Sequence, residues 1–181
     1  RLWEERVRRV VISAEGEEVG AASDRTGDGI VDEADVDDAR AEVKGTKKAP
    51  PLALVYVRQD GARAAAYAIP LYGMGLWGPI SGYLALDPSA ETVTGATFFA
   101  PKETPGLGAE IQEPKFKDQF VGKRIVTEKG ASKPIRVVKG QASNLCSDAI
   151  DYCVDGVSGA TITSRGVNAM IADAVTTYEP Y

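Results

Sequence analysis

The sequence predicts an α+β fold, with antiparallel β hairpins packed on helices. Three observations carry it. Past Pro50-Pro51, β-branched and aromatic residues gather in paired runs separated by turn residues. The final segment, Arg165 to Tyr178, repeats its apolar residues at helical spacing. Strands and helices do not alternate regularly, as a parallel βαβ sheet would require.

In chain order, Arg1 to Val11 carries Leu2, Trp3, Val7, Val10 and Val11 in an amphipathic pattern that reads as a helix. Ser23 to Lys48 is acidic, then basic. Pro50-Pro51 cannot sit inside a regular element and divides the chain into a segment 1–51 and a domain 52–181. Leu52 to Val57 and Ala64 to Ile69, joined by a Gln-Asp-Gly turn, predict one hairpin. Ser81 to Asp87 and Thr92 to Ala100, joined by Pro88-Ser89, predict a second. A helix is expected from Leu107 to Phe120, kinked or broken at Pro114. KRIVTEK and PIRVVKG read as short strands. In the last helix Val167, Met170, Ile171, Ala174, Val175 and Tyr178 share a face, and Ser164 is the expected N-cap.

With 181 residues, 44% of them hydrophobic, the chain is long enough to bury a core without staples. The net charge of −5 argues against a nucleic-acid partner. There is no histidine, which removes Ser-His-Asp, Cys-His and His-ligated metal chemistry. No apolar run reaches the roughly 18 residues that span a bilayer. Two cysteines, Cys146 and Cys153, are either unrelated small apolar residues or a disulfide pair.

The acidic stretch contains Asp24, Thr26, Asp28, Gly29, Ile30, Asp32 and Asp35 in the register of a twelve-residue calcium loop. Oxygen ligands would come from Asp24, Thr26, Asp28, the Ile30 carbonyl, Asp32 and Asp35, with Gly29 at the sharp turn. Against this stands a plain solvated acidic turn. Calcium here would be structural, and it leaves open a calcium-stabilised interaction module as one function.

Two stretches share a Gly-Ala-Thr core: VTGAT ending at Thr97 and VSGAT ending at Thr161. Thr97 lies among Val93, Thr94, Phe98 and Phe99, which is strand composition, so its backbone amides are committed to a ladder. Thr161 follows a turn with Gly156 and Gly159 and opens the last helix. A helix N-terminus offers free amides and a positive dipole end to an anion, and glycines allow close approach. A capped helix without a ligand is the competing reading.

The pattern Asp155-x-x-Ser158-Gly159-Ala160-Thr161-x-x-Ser164 resembles the flavinylation motif of FMN-binding domains. Thr97 lacks the trailing Ser, because Ala100 stands there. Gly75 to Asp87, Lys102 to Ile111, FVGKRI, VVKG and the ending YEP closely resemble the C subunits of the Na+-translocating NADH:quinone reductases. The G subunit of the related ion-translocating ferredoxin:NAD reductase shares ETPGLG and SGAT and is the alternative; GLWGPISGYLALD favours the quinone reductase.

The resemblance implies an electron-carrier subunit that holds FMN covalently, through a phosphoester to Thr161. It implies the soluble part of a membrane-anchored subunit on the extracytoplasmic side of a bacterial inner membrane. It also implies an N-terminal anchoring helix lying before Arg1. Partner subunits of the complex and a separate flavin transferase, which uses FAD and Mg2+, are implied too, so Thr161 needs no base of its own. The isolated domain is then a redox subunit without independent catalysis. Carried over by motif, Glu103, Thr104, Gly106 and Leu107 would lie beside the flavin ring. Leu76 and Trp77 are further candidates, although Trp77 equally suits the core. Ser158, Gly159 and Ala160 would shape or bind the phosphate turn. Cys146 and Cys153, like the segment Ser23 to Lys48, depart from the family pattern; given extracytoplasmic placement, a disulfide between them would brace that turn.

Overall fold

The computed structural model describes residues 6–20, 25, 32–42 and 52–181. Five strands form one antiparallel meander, in chain order: β1 (Val7–Ser13), β2 (Leu52–Asp60), β3 (Arg63–Met74), β4 (Pro79–Leu86) and β5 (Val93–Phe99). This bears out the α+β prediction and both hairpins. Thr97 sits within β5, opposite Tyr83 of β4, as its strand composition requires.

From Val7 onward the first segment differs from its predicted helix, while Arg1 to Glu5 lie outside the described residues. Val7 to Ser13 pairs with β2 residue for residue, Val10 opposite Val55 and Ile12 opposite Ala53. Its helical spacing lost to β-branching and to burial on both faces. Val10 and Ile12 join the main core. Val11 packs on the other face with Leu52, Leu54 and a helix, α1 (Glu33–Glu42), which contributes Val36 and Ala39. The division at Pro50-Pro51 is therefore crossed by the sheet itself.

The main core lies on the opposite face, where a long helix, α4 (Thr161–Tyr178), buries Val167, Met170, Ile171, Ala174 and Val175. Helix and sheet approach closely. A Cβ on Gly166 would overlap the Met74 carbonyl, and one on Gly73 would meet Met170 Cβ at 2.8 Å.

The rest of that face is covered by the segment after β5. Its expected helix is instead two 3₁₀ turns, 108–112 and 118–120, flanking a short helix α2 (Pro114–Lys117). Pro114 has no N–H to continue a helix and sits at its start. Phe116 and Phe120 then meet Phe98 with ring centroids 5.2–5.6 Å apart.

KRIVTEK forms only isolated bridges, whereas PIRVVKG contains β6 (Arg136–Val138). β6 pairs in parallel with β7 (Cys153–Asp155), and between them lies α3 (Ala142–Leu145). Asn168 of α4 grips β6: its side-chain oxygen accepts from Val137 N at 2.6 Å, and its NH2 donates to Val137 O at 2.9 Å. Among the described residues no helix is long and apolar enough to cross a membrane.

Candidate functional site

Three elements meet where β7 ends. The chain leaves β7 at Asp155, turns through Gly156 to Ala160 and enters α4 at Thr161. The helix starts three residues before the expected cap. Ala160 occupies the N-cap position, has no side-chain cap, and its carbonyl accepts the first helical bond from Ser164 N at 2.9 Å. The amides of Thr161, Ile162 and Thr163 therefore have no intrahelical acceptor.

Both glycines of the turn are required by contact. A Cβ on Gly156 would overlap the Val138 carbonyl oxygen of β6. Gly159 has φ 75°, and a Cβ there would come within 2.7 Å of Leu107 Cδ2. The turn is thus pressed against β6 on one side and the ETPGLG loop on the other.

Beside it opens a cleft of about 970 Å3, lined by Gly106, Val138, Gly140, Ser158, Gly159, Thr161 and Ser164 among others. Lys115, Lys139 and Arg165 place cationic side chains on its wall, with Glu110, Glu113 and Asp155 as the opposing charge. Such a volume suits a nucleotide-sized ligand.

One atom in this wall has no partner. Ser164 is 8% exposed, and its buried hydroxyl makes no hydrogen bond among the described residues. An unsatisfied buried hydroxyl costs roughly 1–3 kcal/mol, so Ser164 offers a bond that a ligand group or an ordered water can take up. Orphan helix amides, a free hydroxyl one turn in, close-approach glycines and cations at the rim together suit an anion such as a phosphate group.

Behind the cleft, Glu103 organises the walls. The residue is 6% exposed. Oε1 accepts from Trp77 N at 2.7 Å, and Oε2 accepts from the Thr163 hydroxyl at 2.6 Å. Gly108 and Gly75 leave it room, since a Cβ on either would strike the carboxylate. One side chain thereby joins the β3–β4 turn, the ETPGLG loop and the first turn of α4.

Of the expected cofactor contacts, the structure brings Gly106, Ser158, Gly159 and Thr161 to the cleft, with Leu107 against Gly159. Ala160 is buried beneath the turn. Both carboxylate oxygens of Glu103 accept bonds within the protein. The Thr104 carbonyl accepts from the Leu107 and Ala109 amides and holds the loop closed. Leu76 and Trp77 are solvent-facing, Trp77 at 64% exposure, so Trp77 is not core. Ser164, the expected cap, is instead the orphan donor. Lys139 and Gly140 are visible in the sequence only as part of VVKG, and Lys115 and Gln119 give no sequence signal.

Cys146 and Cys153 are joined in a disulfide, closing the unit that leads into the turn. Asp155 braces the same unit: its Oδ1 accepts from Ala142 N at 2.7 Å, and its amide donates to Gln119 Oε1 at 2.8 Å.

Of the calcium-loop positions, Asp24, Thr26, Asp28 and Ile30 lie outside the described residues. Asp32 immediately precedes α1 and Asp35 lies in its first turn. Asp35 is fully buried and accepts from the amides of Arg25 at 2.6 Å and Asp32 at 2.9 Å. Asp32 caps Ala34 N at 2.8 Å. Among the described residues no group of three or more acidic or Cys side chains is arranged to hold a metal ion.

The profile of the FMN-binding domain family matches residues 75–176. The chain is 39% identical over 127 residues to the C subunit of the Na+-translocating NADH-quinone reductase of Yersinia pestis, covering 70% of this chain and 46% of that protein. It is 36% identical over 126 residues to the C subunit of the Vibrio alginolyticus reductase, covering 70% and 47%. The chain spans about half the length of the curated relatives it matches. Its fold is similar to the crystal structure of the C subunit from Parabacteroides distasonis, with TM-score 0.75, 35% identity and coverage of 98% and 78%. The NqrC structure from Shewanella oneidensis is similar at TM-score 0.70 and 26% identity, with coverage of 98% and 80%.

Proposed function

The chain belongs to the FMN-binding domain family, among the C subunits of Na+-translocating NADH:quinone reductases, and from that premise we propose that it carries FMN joined by a phosphoester to Thr161. The observation that supports this most directly is the unpartnered Ser164 hydroxyl, one turn from Thr161 and beside the orphan amides of α4.

In this reading Thr161 holds the phosphate at the helix N-terminus, and the amides of Ile162 and Thr163 with the Ser164 hydroxyl offer it hydrogen bonds. Lys139 and Arg165 complement its charge at the rim. Gly156 and Gly159 let the phosphate come close to the backbone, and Leu107 with Gly106 gives the ring an apolar edge. Glu103 keeps the loop and the helix in register. When bound, FMN supplies the reversible electron storage, and the chain supplies position and electrostatics. A covalent tether fixes the local concentration of a carrier that would otherwise dissociate. Thr161 receives its phosphate from a separate flavin transferase, in keeping with a chain that has no histidine base.

We place the domain in the multisubunit reductase, on the extracytoplasmic side of the membrane and next to the subunits that give and take its electrons. Every relative named above is a C subunit, which favours this complex over the ferredoxin-linked one.

The test is the intact mass of the chain co-expressed with a flavin transferase. The expected result is an FMN-ester increment that disappears in Thr161→Ala and persists in Thr97→Ala. An increment that survives Thr161→Ala would overturn the assignment.

A further inference from the structure

Glu103 braces the site, yet its charge has no counterpart. Both oxygens accept, from the Trp77 amide and the Thr163 hydroxyl, as an ionised carboxylate does. Among the described residues it has no ion-pair partner. The adjacent Lys102 lays its side chain over Gly78 instead, where an added Cβ would meet Lys102 Cδ at 2.6 Å. Thr163 lies in the first turn of α4, just past Thr161. The buried negative charge therefore sits at the helix end whose free amides and dipole are open to an anion.

The cleft in front offers no surplus of positive charge. Its cations Lys115, Lys139 and Arg165 are matched in number by the carboxylates Glu110, Glu113 and Asp155. A site for a doubly charged phosphate gathers an excess of cations. Here, with Glu103 counted, the balance tips to the negative side. The hydrogen-bond donors nevertheless remain: the orphan amides of α4, and the Ser164 hydroxyl, unpartnered in a residue only 8% exposed and lining the cleft. An anion of low charge suits both the donors and the charge balance.

We propose, building on Thr161 as the FMN anchor, that Glu103 is a charge filter: it fits this helix end to a phosphate diester and against a free phosphate monoester. A diester carries one negative charge, whereas a monoester carries close to two near neutral pH. Joining the FMN phosphate to Thr161 turns the monoester into a diester and removes one charge. The esterified phosphate then meets about half the repulsion from Glu103 that free FMN meets. Thr161 is thereby kept clear of dissolved phosphate compounds until it is esterified. Retention of the flavin falls to the ester bond, and phosphate recognition contributes little.

Glu103→Gln removes the charge and keeps the shape. A Gln oxygen accepts from Trp77 N, and its NH2 donates to the Thr163 hydroxyl oxygen in place of the bond that hydroxyl now gives. The brace between the β3–β4 turn and α4 is therefore retained in the variant, and what changes is the field at the helix end.

The test follows the amide NMR signals of Thr161, Ile162 and Ser164 in the flavin-free chain near pH 8, at constant ionic strength. Two probes are titrated in: methyl phosphate, a dianion there, and dimethyl phosphate, a monoanion. In Glu103→Gln the association constant should rise about tenfold for methyl phosphate and about threefold for dimethyl phosphate, because the repulsion scales with ligand charge. A structural role alone would weaken both probes alike. Unchanged constants, equal factors for the two probes, or no binding by the variant would overturn the proposal. Should Glu103→Gln not fold, the wild type decides: dimethyl phosphate should bind at least as tightly as methyl phosphate, and a clear preference for methyl phosphate sinks the idea. The mass assay keeps the two readings apart. A chain that gains the FMN ester on Thr161 but shows equal factors keeps its flavin site and loses the filter, whereas unequal factors without an ester keep the filter and remove the flavin assignment.

Discussion

At the scale of single residues, Ser164 separates a ligand site from a packing feature. A side chain that holds the fold together loses stability when truncated. Ser164 has a buried hydroxyl with no bond to lose. Ser164→Ala should thus leave the stability of the flavin-free chain unchanged or raise it by up to about 1 kcal/mol in urea unfolding, because an uncompensated desolvation cost is removed. The same variant should load less FMN than wild type in the transferase co-expression. A loss of more than about 1 kcal/mol with normal loading would return Ser164 to a structural role. This contrast is half legible in the sequence. The spacing Thr161-x-x-Ser164 is plain, but a Ser near a helix start reads first as a cap. Which residue starts a helix depends on where Gly156 and Gly159 let the turn press against Val138 and Leu107. Those contacts lie far off in sequence. Glu103 shows the same limit: its motif is recognisable, while its bonds to Trp77 and Thr163 need the fold.

At the scale of elements, the periodic segments are the legible ones. The α4 stripe and the two hairpins follow from side-chain spacing alone, because each buries one continuous face. Val7 to Ser13 misleads because it is buried on both faces, so neither period is clean. The far end of α4 offers a test of how firmly helix and sheet are joined. The Tyr178 hydroxyl donates to Leu54 O at 2.6 Å, and burial pushes its pKa far above the usual tyrosine value. Its folded pKa exceeds its unfolded pKa of about 10, so above pH 10 the unfolded chain loses a proton that the folded chain keeps. The contribution of Tyr178 is intact below pH 10 and declines by about 1.4 kcal/mol per pH unit above it. Tyr56, pushed up to about 12 mainly by burial, adds to the same decline. Tyr178→Phe should cost about 1 kcal/mol at pH 7, where Leu54 O loses its donor, and should flatten the fall between pH 10 and 11. Denaturant melts of both proteins at pH 7, 10 and 11 measure this, and parallel pH curves would contradict it.

For the whole molecule, the sheet overrides the division at Pro50-Pro51. Val10, Val11 and Ile12 are nearly fully buried against β2, at about 1.5–3 kcal/mol each. Their sum is comparable with the entire stability of an ordinary domain. A chain beginning at Leu52 would also bare an apolar edge strand, an open template for association. We expect it to be unfolded or aggregated, as size-exclusion chromatography and circular dichroism would reveal; a stable monomer would restore the boundary. Composition could not disclose this, because Pro50-Pro51 interrupts the chain without interrupting the pairing. The helix that crosses this sheet also has a mechanical meaning. α4 is a rod of 18 residues, roughly 27 Å long, pinned near Gly166 against the end of β3. Gly166 divides it into a short arm toward Thr161 and an arm about twice as long toward Tyr178. Were the rod to move as one body about that point, a displacement of β2 at Leu54 would reach Thr161, the residue we propose to anchor the phosphate, at about half amplitude and in the opposite sense. Tyr178→Phe, which uncouples the long arm, should then alter hydrogen exchange at 158–163; no change there would mean that the rod does not transmit.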